Sequence, residues 1–156
     1  MYRNIKILVA DDDQNDAFLL KRAFVRAGIN TPMNFVEDGE QAVSYLEGRA
    51  PFADRQAFPL PNLVLMDLKM PRMDGFEVLR WVRRQPVLRR LPVLVFSSSA
   101  DHRDVDLAYE LGASGYAVKP SKHDELQDLV VSVESFWLRR NLYPGLVSPA
   151  NLRPPE

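Results

Sequence analysis

At 156 residues, with 46% apolar and 26% charged side chains, the chain is long enough for one domain with a real core and has the make-up of a soluble globular protein. A net charge of −1 gives no field that would draw nucleic acid or an anionic membrane, and the absence of cysteine excludes a disulfide framework, a thiolate metal site and a cysteine nucleophile. No apolar run approaches the roughly 18 residues of a membrane span, and the N-terminus enters a strand-like run without a signal-peptide layout, so a cytoplasmic protein is expected.

Residues 5–10 read as a first strand that runs into Asp11-Asp12-Asp13. A helix capped by Asn15 or Asp16 follows to about residue 27, with Ala17, Leu20, Phe24 and Ala27 on one face and Gly28 as its stop. Residues 33–37 form a short second strand, and residues 39–47 a helix with Ala42, Val43 and Leu46 inward. A long connection over 48–61 carries Pro51, Pro59 and Pro61. Leu63, Val64, Leu65 and Met66 then run straight into Asp67, the pattern of a strand buried on both faces, before Pro71 and Gly75 break the backbone. The next helix starts near Gly75, turns Val78, Leu79 and Val82 inward and ends at Pro86. Residues 93–96 are the fourth strand and lead into Ser97-Ser98-Ser99. Asp101 or Asp104 opens a helix that buries Val105, Ala108 and Leu111 and stops at Gly112. Residues 115–118 are the fifth strand, stopped by Lys119-Pro120, and a last helix spans about 122–138 with Leu126, Leu129, Val130, Val133 and Trp137 at helical spacing.

Strands alternating with helices predict an α/β fold, a doubly wound, flavodoxin-like parallel sheet of five strands in the order 2-1-3-4-5 with five helices. In that order the carboxyl ends of strands one, three, four and five meet at one crevice. They deliver Asp11, Asp12, Asp13, Asp67, Ser97 and Lys119 there. Two like charges 4 Å apart repel by roughly 4 kcal/mol at an effective dielectric of 20, so a proton, a cation or a lysine must compensate. Hard oxygen ligands without histidine or cysteine suit Mg²⁺. A carboxylate can also attack phosphorus to give an aspartyl phosphate. The Ser97 hydroxyl and the Lys119 ammonium suit the oxygens of an added phosphoryl group.

Over roughly residues 3–138 the sequence resembles a response regulator receiver domain. The resemblance lies in the acidic run after strand one, Asp67 in Asp-Leu-Lys-Met-Pro-Arg-Met-Asp-Gly, Ser97 after strand four, and Gly-Ala-Ser-Gly-Tyr-Ala-Val-Lys-Pro at 112–120. It implies that Asp67 accepts a phosphoryl group from a histidine kinase. It implies that Asp11, Asp12, Asp67 and the backbone carbonyl of Lys69 hold Mg²⁺, that Ser97 and Lys119 bind the phosphoryl group, and that Tyr116 changes rotamer with the switch. The Lys119–Pro120 bond is similar to one that the family keeps cis. The first helix, with Phe18 and Leu19 near its start, is a candidate kinase-docking surface. The long 48–61 loop and Val-Glu-Ser-Phe-Trp-Leu at 133–138 look like single-domain regulators partnered with bacterial phytochrome kinases. Ser97 stands where threonine is commoner, and Asp13 makes the acidic run three long.

Other residues read more plainly. Asp13 and Asp16 are expected as solvated cap residues, His102 and His123 as exposed, and Met70 and Met73 as packing beneath the site loop. Arg80, Arg83, Arg84, Arg89 and Arg90 lack interleaved aromatics and read as a solvated face, not a nucleic-acid contact. At the end of the last helix Trp137 is expected to project beyond the sheet, and a homodimer is expected through that helix, with Phe136 and Trp137, and the tail. That tail, residues 139–156, carries four prolines and is too short for an output domain. Two other classes stay open: an Asp-nucleophile phosphatase, since Asp11-x-Asp13 resembles the start of a haloacid-dehalogenase-type enzyme, and an interaction module that works without phosphorylation.

Overall fold

The structure, a computed structural model, describes residues 4–146. Strand and helix alternate: β1 (Ile7–Ala10), α1 (Gln14–Arg26), β2 (Met33–Val36), α2 (Gly39–Glu47), β3 (Leu63–Met66), α3 (Gly75–Arg84), β4 (Val93–Ser97), α4 (His102–Glu110), β5 (Gly115–Val118) and α5 (His123–Val133). All neighbouring strands pair in parallel, in the order β2-β1-β3-β4-β5. The register sets Ala10 beside Met66 and Met66 beside Val95, so β1 and β3 end at one level and β4 runs two residues further, to Ser97.

The strand side chains alternate between two cores, as a pleat of period two requires. Leu8, Ala10, Val64, Met66, Val93 and Val95 pack beneath α2, α3 and α4, with Tyr45, Val78, Leu79, Val82 and Ala108 opposite them. Ile7, Val9, Leu63, Leu65, Leu94 and Phe96 face α1 and α5, against Leu20, Ala23, Phe24, Val130 and Val133. Covered on both sides, β1, β3 and β4 are buried along their length, whereas the edge strand β5 is half-buried. Aspartates cap four helices by accepting main-chain N–H bonds: Asp13, Asp38, Asp74 and Asp101. The cap of α1 is therefore Asp13, not Asn15 or Asp16.

The 48–61 connection is packed. Phe52 and Phe58 stack edgewise with ring centroids 5.2 Å apart, and Tyr45 lies 5.2 Å from Phe52. The Arg55 guanidinium donates to the carbonyls of Tyr45 (2.8 Å) and Leu46 (2.9 Å) in the last turn of α2 and of Phe58 (3.1 Å), which ties the connection to the end of that helix. The arginine cluster is not uniformly solvated. Arg83 is half-buried and donates to the carbonyls of Leu91 (2.7 Å) and Gly112 (2.6 Å), tying α3 to the loops before β4 and β5. Burial away from water lowers its guanidinium below the ordinary arginine range.

The last helix departs from the expected single run to residue 138. α5 stops at Val133 and continues as a π-helical turn, Glu134–Leu138, in which the Arg139 N–H donates to the Glu134 carbonyl at 3.1 Å. The wider turn buries Leu138 and leaves Trp137 half-buried against the second core, not projecting from the sheet. Tyr143 closes over it, its hydroxyl donating to the Trp137 carbonyl at 2.6 Å. Phe136 remains 51% exposed. The rest of the expected tail, residues 147–156, lies outside the described residues, as does residue 3.

Candidate functional site

Each acidic side chain reaches the crevice because a strand ends there. Asp11 follows β1 and Asp67 follows β3; both are buried. The Asp67 N–H donates to the Ala10 carbonyl at 2.9 Å, which continues the sheet by one bond and fixes the two carboxylates side by side. Asp67 is further held from its own loop, its Oδ1 accepting from the Leu68 N–H at 2.7 Å and, at a weaker 3.4 Å, from Lys69. Asp11 Oδ1 accepts from the Asp13 N–H at 2.9 Å. Lys119, at the end of β5, crosses the crevice: its Nζ lies 2.8 Å from Asp11 Oδ2, 2.8 Å from Asp67 Oδ2 and 3.0 Å from Asp16 Oδ2.

Burial pushes the Asp11 carboxyl up to about 6, against Lys119 and the Asp13 N–H, which favour the carboxylate. Burial also disfavours the Lys119 ammonium, but the hydrogen bonds that it donates to Asp11 and Asp67 outweigh it and hold the lysine charged well above its usual range. Asp11, Asp12 and Asp67 each offer one oxygen, all within 4.8 Å of one another. That hard, all-carboxylate set fits Mg²⁺ or Mn²⁺, and receiver domains bind such ions at an acidic pocket of this kind. Exposed Asp12 offers an oxygen open to water, a position that suits an ion keeping part of its hydration shell.

Ser97 is wholly buried at the end of β4, and its hydroxyl accepts from the Ser99 N–H at 3.1 Å. Ser99 is a junction: its carbonyl accepts from the Tyr116 hydroxyl at 2.8 Å and its hydroxyl donates to Asp104, on α4, at 2.6 Å. The Lys119–Pro120 bond is trans, contrary to expectation; the cis bond among the described residues is Ala50–Pro51. Lys69 and Ser98 are exposed beside the crevice, His102 and His123 are exposed, and Met70 and Met73 pack into the first core.

Two contributors to the site were not expected from the sequence. Asp16 is no solvated cap. With Asp13 as the cap, α1 starts at Gln14, so Asp16 lies within its first turn, and its carboxylate meets Lys119 at 3.0 Å. Asp16 stands four residues before Leu20 and eight before Phe24, on the stripe that faces the sheet, and that spacing was the available signal. The second contributor is Asp38, buried as the cap of α2, which takes the Arg72 guanidinium at 2.8 Å and so links the loops after β2 and β3. Burial alone would raise Asp38; the Gln41 N–H and Arg72 outweigh it and hold the carboxyl below the usual range.

Known proteins share this fold. The family model of the response regulator receiver domain matches residues 7–131. Response regulator Rcp1 of Synechocystis is 33% identical over 139 residues, 89% of this chain and 92% of that protein, and its Mn²⁺-bound structure superposes with a TM-score of 0.81 over 90% of this chain and 99% of that one. Response regulator RPA3017, in red light signalling of R. palustris, gives a TM-score of 0.85 at 38% identity, covering 90% of this chain and 98% of that one. FilR2, a probable methanogenesis regulatory protein of Methanothrix harundinacea, is 34% identical over 89% of this chain and 87% of its own length. No helix of the described residues is long and apolar enough to cross a membrane. A match that runs from the start of β1 into the last turns of α5, with the same strand order and whole-length likeness to these regulators, means that the chain belongs to the response regulator receiver domain family.

Proposed function

We propose that the chain is a stand-alone response regulator of a two-component phosphorelay, with Asp67 as the phosphoacceptor. The observation that carries this is the Lys119 ammonium set 2.8 Å from both Asp67 and Asp11, two buried carboxylates beside an exposed third. A carboxylate oxygen of Asp67 attacks the phosphorus of a phosphohistidine; the P–N bond breaks and its electron pair stays on the imidazole. Asp11, Asp12, Asp67 and the Lys69 carbonyl would hold Mg²⁺, which would supply charge neutralisation for the phosphoryl oxygens. Lys119 and the Ser97 hydroxyl donate to the added oxygens. When Ser97 turns toward them it gives up the Ser99 N–H, and the Tyr116 and Asp104 contacts of Ser99 carry that change to β5 and α4.

The receiver domain occupies residues 3–138 and the tail 139–156 is appended to it. The donor is a histidine kinase of phytochrome type, supported by the likeness to RPA3017 in red light signalling; Phe18, 61% exposed on α1, suits its docking. A homodimer through α5 and the tail is supported by exposed Val131, Phe136 and Leu142. Small, exposed Ser98 leaves room for water, so the phosphoryl group leaves by slow self-dephosphorylation and the protein is a switch, not an enzyme acting on a separate substrate.

Mass spectrometry after incubation with acetyl phosphate and Mg²⁺ tests the assignment. Wild-type protein should gain one phosphoryl group, mapped to Asp67, and Asp67→Asn should gain none. Label retained in full by the asparagine variant would refute it.

The Asp11 shift gives a second expectation. Its folded value, about 6, lies above the ordinary 3.8. Between those values the cation-free fold binds more protons than the unfolded chain, so its stability falls as pH rises through that window. A divalent cation needs the Asp11 carboxylate of the folded protein, so its affinity should fall about tenfold per pH unit below about pH 6 and level off above it. Calorimetric Mg²⁺ titrations from about pH 5 to about pH 8 should show this, with proton release near the lower end. Affinity independent of pH would exclude Asp11 as a ligand that titrates there.

A further inference from the structure

We propose that Asp16, from the first turn of α1, is a positioning residue that competes with the phosphoryl group for the Lys119 ammonium and so sets how readily Asp67 is phosphorylated. The proposal rests on the phosphoacceptor role assigned to Asp67 above.

An ammonium has three N–H donors. All three are engaged here, by Asp11 and Asp67 at 2.8 Å and by Asp16 at 3.0 Å. A phosphoryl oxygen arriving on Asp67 is a new acceptor, and Lys119 can meet it only by giving up one of these partners. The three are not equal. The Asp11 side chain is 8% exposed and its other oxygen is fixed by the Asp13 N–H. The Asp67 side chain is 9% exposed and carries the incoming group itself. Asp16 is 39% exposed and makes the longest of the three contacts, so water can replace the ammonium there at least cost. The Asp16 carboxylate also stays favourable when released, because it sits in the first turn of a helix, where the dipole favours negative charge. Lys119 therefore exchanges Asp16 for the phosphoryl oxygen, and Asp16 acts through Lys119, not on the phosphorus.

Asp16→Asn should speed labelling of Asp67 by acetyl phosphate about twofold to fivefold, the range expected for loss of one partly exposed ion pair. Asp16→Glu, which keeps the charge, should restore a rate close to wild type. Simple repulsion of the anionic donor would be screened by salt, whereas competition at 3 Å contact is screened much less. The rate ratio of the asparagine variant to wild type is therefore measured at low and high KCl, with thermal unfolding as a check on the fold. A ratio that persists at high salt supports the proposal. A ratio of one, or one that collapses to one at high salt, overturns it. Absence of label on the wild-type protein would instead remove the phosphoacceptor assignment beneath it.

Discussion

Replacing Lys119 by methionine is expected to lower the stability of the cation-free protein by about 3–5 kcal/mol, the cost of stripping one partner from a buried ion pair. The Lys119 side chain is 17% exposed, and those of Asp11 and Asp67 are 8% and 9% exposed. Methionine keeps most of the apolar stem, so packing changes little, but two buried carboxylates are left facing each other. Asp11, already pushed up to about 6 by burial, can escape part of the cost by taking a proton. The loss should accordingly be smaller near about pH 5 than near about pH 8. Mg²⁺ should also return part of it, since a ligand bound only by the folded state at a hundredfold excess over its Kd adds about 2.7 kcal/mol. Urea unfolding at the two pH values, with and without Mg²⁺, measures all three effects. A variant as stable as wild type at both pH values without cation would show that the ammonium is not the counter-charge of the crevice.

Gly75→Ala is expected to destabilise by about 1–3 kcal/mol or more, as overpacking does, and to slow phosphorylation of Asp67 by a factor on the order of 10². Gly75 opens α3 and donates its N–H to the Leu68 carbonyl at 2.9 Å. A Cβ there would run into the Asp67 carbonyl and stand 2.8 Å from the Leu68 Cα, and both are backbone atoms that cannot swing away. Alanine is otherwise favoured over glycine inside a helix by about 1 kcal/mol, which offsets only part of the cost of the close approach to main-chain atoms. Gly145→Ala, where nothing lies within 4 Å of an added Cβ, is the neutral control. The slower labelling follows because the displaced atoms carry the phosphoacceptor. Unfolding midpoints and acetyl phosphate labelling of the two variants test this; a Gly75→Ala protein with wild-type midpoint and rate would show that the loop after β3 yields freely.

The glycine was legible only in part. From the sequence Gly75 is a backbone break that starts a helix, and so it is; that it lies against the main chain of Asp67 depends on how α3 is set against β3. The same division runs through the molecule. Leu63 to Met66 announce a strand covered on both faces, and Asp67 stands at its end, because burial of a parallel strand leaves its mark on every residue in turn. The helices were legible through their 3.6-residue stripes, and α2 and β5 have the bounds that the pattern suggests. The last helix was misread because periodicity does not report a π-helical turn, which widens the winding without changing which residues are apolar.

The chain by itself thus determined the strand order and the gathering of Asp11, Asp12, Asp67, Ser97 and Lys119 at one end of the sheet. Parallel strands joined by right-handed crossovers put every residue that follows a strand on the same side. Only the tertiary structure decided which partners those residues take. Asp16 joins Lys119 across 103 residues of chain because α1 packs beside the end of β5, and Arg83 is withdrawn from its basic cluster because the carbonyls of Leu91 and Gly112 lie within its reach. Such pairings depend on angles and distances between elements, and local patterns of polarity record which face is buried but not what stands opposite it.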